Sequence, residues 1–191
     1  MQPRIRPRHT YGDYCMIERM NPSAKHEFVD GEIYAMSGGT ADHASLAATV
    51  LGAFDRQLGA EPCRIYTSDL RIYVEAVGMA AFPDGAVICG PVELHAASPK
   101  DTALNPRVLI EVTSESSEDY DAIAKLEAYR TIPSLGDYVL VSHRERRLTV
   151  HHRAADGTWT TRTAITGGTI EVASVGVMLV VDEIYRRSDV R

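Results

Sequence analysis

Cysteine is scarce in this sequence: Cys15, Cys63 and Cys89 are odd in number, widely spaced and without a CxxC pair. A disulfide framework is therefore not expected, and the three read as reduced thiols of a cytosolic protein, packed as small hydrophobes. Long apolar runs are missing as well. No segment reaches the roughly eighteen uninterrupted apolar residues of a membrane span. The basic N-terminal stretch MQPRIRPRHTYGDY has no apolar core of the kind a secretory signal needs. A cytoplasmic chain with no membrane segment is the expectation. Basic excess is also lacking, since the formal net charge is −6. That argues against generic charge-driven nucleic-acid binding, while leaving open a local basic groove or contact with a polyanion through divalent cations. Internal repeats, low-complexity tracts and long linkers do not occur.

What is present is an ordinary globular composition, 45% hydrophobic and 24% charged over 191 residues. The length suits a single domain, 1–191, able to bury roughly 70% of its unfolded surface without a disulfide or metal staple. Thr10 caps a helix over Tyr11–Met20, Asp13 places a carboxylate in its first turn, and Asn21-Pro22 ends it. In KHEFV-DG-EIYAM, Asp30-Gly31 between two apolar-rich runs predicts a hairpin turn. From Thr40 to Leu58, Leu46, Ala47, Val50, Leu51, Phe54 and Leu58 recur at helical spacing, and Gly59 and Pro62 stop the helix.

RIYTSDLRIYVEA and AAFPDGAVICG read as two strands, Pro91 to Pro106 as a loop, and RVLIEVTS as a buried strand. SSEDYDAIAKLEAYRTIP is a further helix, with Ser117 as its cap and Glu118 and Asp119 at its positive end. DYVLVS, RLTVHHR and TWTTRTAI are strands, the last pair turning at Asp156-Gly157. IEVASVGVMLVVDEIY adds a short strand and a helical turn. This mixed order predicts an α/β or mixed α+β domain with one central mixed sheet flanked by helices.

Two carboxylates stand out against that layout. Asp84 follows Phe82-Pro83 and precedes the apolar run Ala86-Val87-Ile88; alone, it is explained as a turn residue of Pro-Asp-Gly. Glu111 lies inside RVLIEVTS. It could be the outward residue of an edge strand, but Leu109 shares its face and Val108 and Ile110 the other, so both faces look apolar. A buried carboxylate costs several kcal/mol unless paired, protonated or metal-bound. Two of them on neighbouring strands repel unless a cation lies between them, and Mg²⁺ is commonly held by one or two carboxylates plus waters and substrate phosphates. Lys125 shares a helix face with Asp121 and Tyr129, and would steady an attacking water or developing charge. Its plainer reading is a surface ion pair with Asp121.

The combination PDGAVIC, LIEVTS and DAIAKLEAYRTIPSLGDYVLVS resembles the Uma family of restriction-endonuclease-like proteins, within the PD-(D/E)XK nuclease superfamily. The resemblance runs from HEFVDGEIYAMSGG through YTSDLRIYVE to DYVLVS, and is looser over the last forty or so residues. It implies a restriction-endonuclease-like core and a Mg²⁺- or Mn²⁺-dependent phosphodiesterase acting on DNA; a homodimer is expected from that function, because cutting both strands usually needs two sites. It makes Asp84 the acid of the PD motif and Glu111 the acid of the (D/E)-x-K motif. Thr113 stands where the simplest pattern has lysine, and Lys125 on the next helix takes that part. EVTSESS also lacks the proline the family often places after the serine. Glu27 matches an auxiliary metal or water ligand, so the implied metal set is Asp84, Glu111 and Glu27, and Asp69 matches the family pattern as a further auxiliary residue. A solvent-facing hairpin position explains Glu27 equally well, and an edge-strand polar position Asp69. Removing Asp84 is expected to abolish activity and to relieve carboxylate repulsion.

Other features read as structural. His143, His151 and His152 lack zinc spacing and are expected at the surface. Tyr66, Tyr73 and Tyr129 are expected in packing, and Gly38-Gly39 in a plain turn that starts a helix. The alternative function is a binding or scaffold protein on the nuclease fold without catalysis. A hydrolase built on His43 or Ser114 ranks last, because there is no GxSxG elbow.

Overall fold

The computed structural model describes residues 8–36, 38–59, 62–98, 100–115 and 120–190. The first helix, α1, spans Tyr11–Met20 and opens with a reciprocal capping box. Thr10 Oγ1 accepts from the Asp13 backbone N–H at 3.1 Å, and Asp13 accepts from the Thr10 N–H at 2.8 Å. Strands β1 (His26–Val29) and β2 (Glu32–Ala35) form the hairpin that Asp-Gly predicts, with Asp30 and Gly31 both at positive φ (46° and 85°). Helix α2 (Ala41–Leu58) starts at the Thr40 cap and buries Leu46, Val50, Ala53 and Phe54 along one stripe.

The two long strands predicted next are four. RIYTSDLRIYVEA divides into β3 (Cys63–Thr67) and β4 (Arg71–Val74), and AAFPDGAVICG into β5 (Met79–Ala81) and β6 (Gly85–Cys89). Each pair turns a corner between sheets. The first corner is at Ser68–Leu70 and the second at Phe82–Asp84, where Pro83 has no N–H to give to a ladder. The predicted loop Pro91–Pro106 contains a two-residue strand, β7 (Thr102–Ala103), parallel to β4. Beyond it lie β8 (Val108–Val112), a helical segment at Tyr120–Lys125 wound as a π-helix, α3 (Leu126–Tyr129) and β9 (Asp137–Val141). The proposed helix cap at Ser117, with Glu118 and Asp119, falls outside the described residues. Strands β10 (Arg147–Arg153) and β11 (Trp159–Ile165) follow as predicted. The C-terminal region is a two-strand ribbon, β12 (Thr169–Val172) and β13 (Val177–Val180), rather than one strand, and ends in α4 (Val181–Ile184).

The strands form a six-stranded mixed sheet, β11-β10-β9-β8-β6-β3, and a five-stranded sheet, β2-β1-β5-β4-β7. The central mixed sheet is the six-stranded one, in which β8 and β9 are parallel and joined through α3. Alternation splits its strands between two cores. Val108, Ile110, Val112, Val87, Val139 and Val141 pack with α2, the C-terminal ribbon and α4. Leu109, Ala86, Ile88, Tyr138 and Leu140 pack with α3 and with Ile72, Val74, Met79 and Ala81 of the five-stranded sheet. A second sheet thus takes one flank where helices alone were expected. α1 covers the far side of that sheet through Tyr14, Cys15, Phe28 and Ala80.

The reading of three reduced thiols is corrected. Cys63 and Cys89 stand directly opposite each other on β3 and β6 and form a disulfide, while Cys15 is free and buried. Spacing in the sequence could not show this pair, because β-strand register creates it. No helix among the described residues is long and apolar enough to cross a membrane.

Candidate active site

Strand β8 is buried over its whole length, as both apolar faces predict. Glu111 is 4% exposed and lies on the face shared with Leu109, looking into the layer between the two sheets. The antiparallel register of β6 and β8 pairs Gly85 with Ile110 and Ala86 with Leu109. One step further along it, Asp84 stands across from Glu111. The sheet corner ends the backbone ladder at that level, and the Asp84 side chain replaces it: Oδ2 accepts from the Val112 N–H at 2.8 Å. Gly85 is glycine for a steric reason, since a Cβ there would lie 2.3 Å from Leu51 Cδ2 of α2.

Lys125 enters this layer from the end of the π-helical segment and is 5% exposed. Its Nζ donates to Glu111 Oε1 at 3.0 Å and lies 3.1 Å from Glu27 Oε1. Lys125 thus sits in a buried clamp between two glutamates, while the side chain of Asp121, its expected partner, lies outside the described ones. Glu27 and Val29 alternate with Phe28 on β1, so they face the inter-sheet layer while Phe28 packs against α1. One turn beyond Lys125, Tyr129 donates its hydroxyl to Glu111 Oε1 at 3.3 Å. Tyr129 was expected only to pack. It does so against Tyr138, and it also holds the carboxylate.

His43 is the residue that sequence reasoning ranked last. It sits on the first turn of α2, and its Nε2 lies 2.9 Å from the Val112 carbonyl and 3.3 Å from Asp84 Oδ2. A carbonyl only accepts, so Nε2 carries the proton. The hydrogen bond to Asp84 raises the His43 pKa above the usual histidine value, against the opposing effect of burial. The charge of Asp84, the Val112 carbonyl and Glu111 act in the same upward direction. Gly39 makes room for the ring, since a Cβ there would lie 2.8 Å from Nδ1. A glycine pair ending four residues before a histidine, on the first turn of a helix, was the available signal.

The structure brings together Asp84, Glu111, Lys125 and Glu27, and adds His43 and Tyr129. It places Asp69 elsewhere: in the β3–β4 turn, its side chain 87% exposed and 2.8 Å from Lys25 Nζ. Lys25, by hydrogen bond and then by charge, holds that carboxyl below the usual aspartate range. Thr113 is buried, and its hydroxyl lies 2.9 Å from His143 Nδ1. The expectation of surface histidines fails for His151, which is 8% exposed and whose pKa burial, with Arg130, pushes down. His152 is tied to the buried Asp137 at 2.8 Å.

The donors suit a hard divalent cation in type: two carboxylates and a backbone carbonyl beside Glu111, with Asp84 Oδ2 and the Val112 oxygen converging on one proton donor. They suit a centre of two carboxylates better than one of three. Glu27 is turned to Lys125, and among the described residues no three of His, Cys, Asp and Glu are grouped to hold a metal.

Residues 10–177 match the family model Uma2, described as "Putative restriction endonuclease". Two uncharacterised proteins of Synechocystis sp. are similar over most of their length. One, slr1290, is 33% identical over 162 residues, covering 85% of this chain and 84% of that one. The other, sll1609, is 29% identical over 156 residues, covering 78% and 84%. Among solved structures, a protein of Anabaena variabilis titled a "putative nuclease belonging to DUF820" superposes with a TM-score of 0.69. It is 14% identical and covers 84% of this chain and 89% of its own, which establishes a shared fold.

Proposed function

The chain belongs to the Uma2 family, and on that premise we propose that it is a metal-dependent deoxyribonuclease hydrolysing phosphodiester bonds. The observation that carries this reading is the half-buried Asp84 standing across from the buried Glu111 at the sheet corner, with Lys125 on Glu111. Asp84, Glu111 and the Val112 carbonyl would hold Mg²⁺ or Mn²⁺. Bound there, the ion supplies charge neutralisation at the phosphate and a lowered pKa for water.

The chain's own groups do the remaining work. Lys125 brings a fixed positive charge to the edge of Glu111, where it orients the attacking water or stabilises charge on the phosphorane. Tyr129 and Glu27 fix Lys125 and Glu111 against each other, and His43 fixes the Asp84 carboxylate and the Val112 carbonyl. Cleavage of both strands of a duplex calls for two such sites, hence a homodimer, and a cytoplasmic setting gives access to DNA. The alternative, a binding or scaffold role on the same fold, draws support from the absence of a three-residue metal group among the described residues.

The test is cleavage of single- and double-stranded DNA in Mg²⁺ and in Mn²⁺. Asp84→Ala and Asp84→Asn should both be inactive. Asp84 accepts the Val112 N–H and contacts His43, so Asp84→Ala should cost about 1–3 kcal/mol of stability instead of relieving repulsion. Asparagine keeps an acceptor and should fold nearly as well as wild type. Cleavage by Asp84→Asn at the wild-type rate sinks the assignment, and no calorimetric binding of either ion to wild type favours the scaffold.

A further inference from the structure

An acidic protein that engages a polyanion needs some local surface of opposite sign, and one groove has it. This groove, of about 510 Å³, lies between α2 and the end of α4 with the segment following it. Arg56, Arg186 and Arg187 line it, against the single carboxylate Glu183, and the hydroxyl residues Ser45 and Thr49 complete its wall. All three arginines are exposed, and none forms an ion pair or hydrogen bond with a described residue. Elsewhere the surface arginines Arg8, Arg130 and Arg147 are neutralised by carboxylates at 3.0 Å. The groove therefore keeps a net positive charge on a chain whose overall charge is −6.

Its position is set by α2. Ser45, Thr49, Gly52 and Arg56 follow i, i+4, i+7 and i+11 along a half-buried flank beside the buried stripe. At 1.5 Å per residue, that row is about 16 Å long. It begins two residues after His43, which touches Asp84 and the Val112 carbonyl. The same helix thus carries the candidate catalytic carboxylates' partner at its start and the arginine-lined groove along its outer side. A rise of 3.4 Å per nucleotide along a duplex strand makes this row about five nucleotides long.

We propose that this groove is a phosphate-backbone track for the nucleic acid cut at Asp84 and Glu111, with Arg56, Arg186 and Arg187 each neutralising one phosphate. The proposal rests on the nuclease reading for the identity of the polyanion. Guanidinium groups on flexible stems suit phosphate oxygens without reading bases, so the track contributes affinity and orientation, not sequence preference.

The experiment measures duplex DNA binding by the full chain in EDTA, where no divalent ion supports cleavage, as a function of salt. The variants are Arg56→Ala/Arg186→Ala/Arg187→Ala and the corresponding triple Lys substitution. Three phosphates neutralised on a duplex contribute about 2.7 to the slope of log affinity against log salt. Between 50 and 200 mM salt, wild type should therefore lose roughly 40-fold more affinity than the triple Ala variant. The triple Lys variant should restore most of the slope, which a merely structural role for the guanidiniums would not predict. All three positions are exposed, so the variants should unfold at the wild-type urea midpoint. Should the triple variant not fold, each single Ala change should lower the slope by about 0.9.

A slope unchanged in the triple Ala variant overturns the track. So does binding of heparin, but not of DNA, through the same arginines. Cleavage assays on the same proteins separate this inference from the one beneath it. A lost slope with no cleavage by wild type keeps the track and removes the nuclease, and cleavage with an unchanged slope does the reverse.

Discussion

Two histidines, His43 in the site and His151 outside it on β10, make opposite demands on protons and on stability. The pKa of His43 is raised in the folded state, so the native protein binds more protons than the unfolded chain between about 6.5 and the raised value. Its stabilising contribution is therefore complete below about 6.5 and is lost as pH rises through the folded pKa. His151 behaves in reverse: its pKa is lowered by burial, so stability falls as pH drops below about 6.5. Urea midpoints of wild type and His43→Gln, compared from pH 5 to 9, should differ most at the acid end and converge at the alkaline end. A difference that grows with pH contradicts the arrangement. Lys125 offers a larger effect. Lys125→Met leaves Glu27 and Glu111 facing each other in a buried layer and should cost about 3–5 kcal/mol at neutral pH. Adding Glu27→Gln and Glu111→Gln should recover part of that loss, and an unchanged midpoint in Lys125→Met refutes the clamp.

At the scale of elements, the sheet corners matter most. β5 and β6 are one apolar run in sequence, but Phe82-Pro83-Asp84 sends the chain from one sheet to the other and leaves Asp84 at the bend. β6 is fixed at both ends, by Asp84 on Val112 and by the Cys63–Cys89 bond to the edge strand β3. The bond closes a loop with a sequence separation of 26. Chain entropy makes a loop of that size worth about 3.5 kcal/mol. Dithiothreitol should lower the urea midpoint of wild type and leave that of Cys63→Ser/Cys89→Ser unmoved. Equal midpoints for oxidised and reduced wild type would count against any role of the bond in holding β3.

At the scale of the molecule, both apolar cores lie on the two faces of the six-stranded sheet, so neither can melt without exposing β8 and β9. Unfolding should be one transition. The only tryptophan, Trp159, reports from the edge strand β11, where Arg130 and Arg153 lie over its ring at 5.5 and 5.1 Å. Its fluorescence and the far-UV circular dichroism should change at the same urea concentration. Separated midpoints would divide the chain into independently folding parts, against the single domain expected from its length.

The sequence by itself determined what depends on neighbours along the chain. Caps at Thr10 and Thr40, the Asp30-Gly31 turn, the period of α2 and the two apolar faces of β8 are local properties of side-chain shape and backbone freedom. Asp84 and Glu111 also stood out in sequence, because a carboxylate in an apolar run is anomalous wherever the chain goes. Only the tertiary structure decided which groups meet them. Strand register set Asp84 opposite Glu111 and Cys63 opposite Cys89, and the second sheet brought Glu27 to Lys125. The approach of α2 put His43 on the Val112 carbonyl. Those contacts join residues 26 to 98 positions apart, and no local spacing encodes them. They follow from which faces must be buried together, a condition met only when the whole chain has folded.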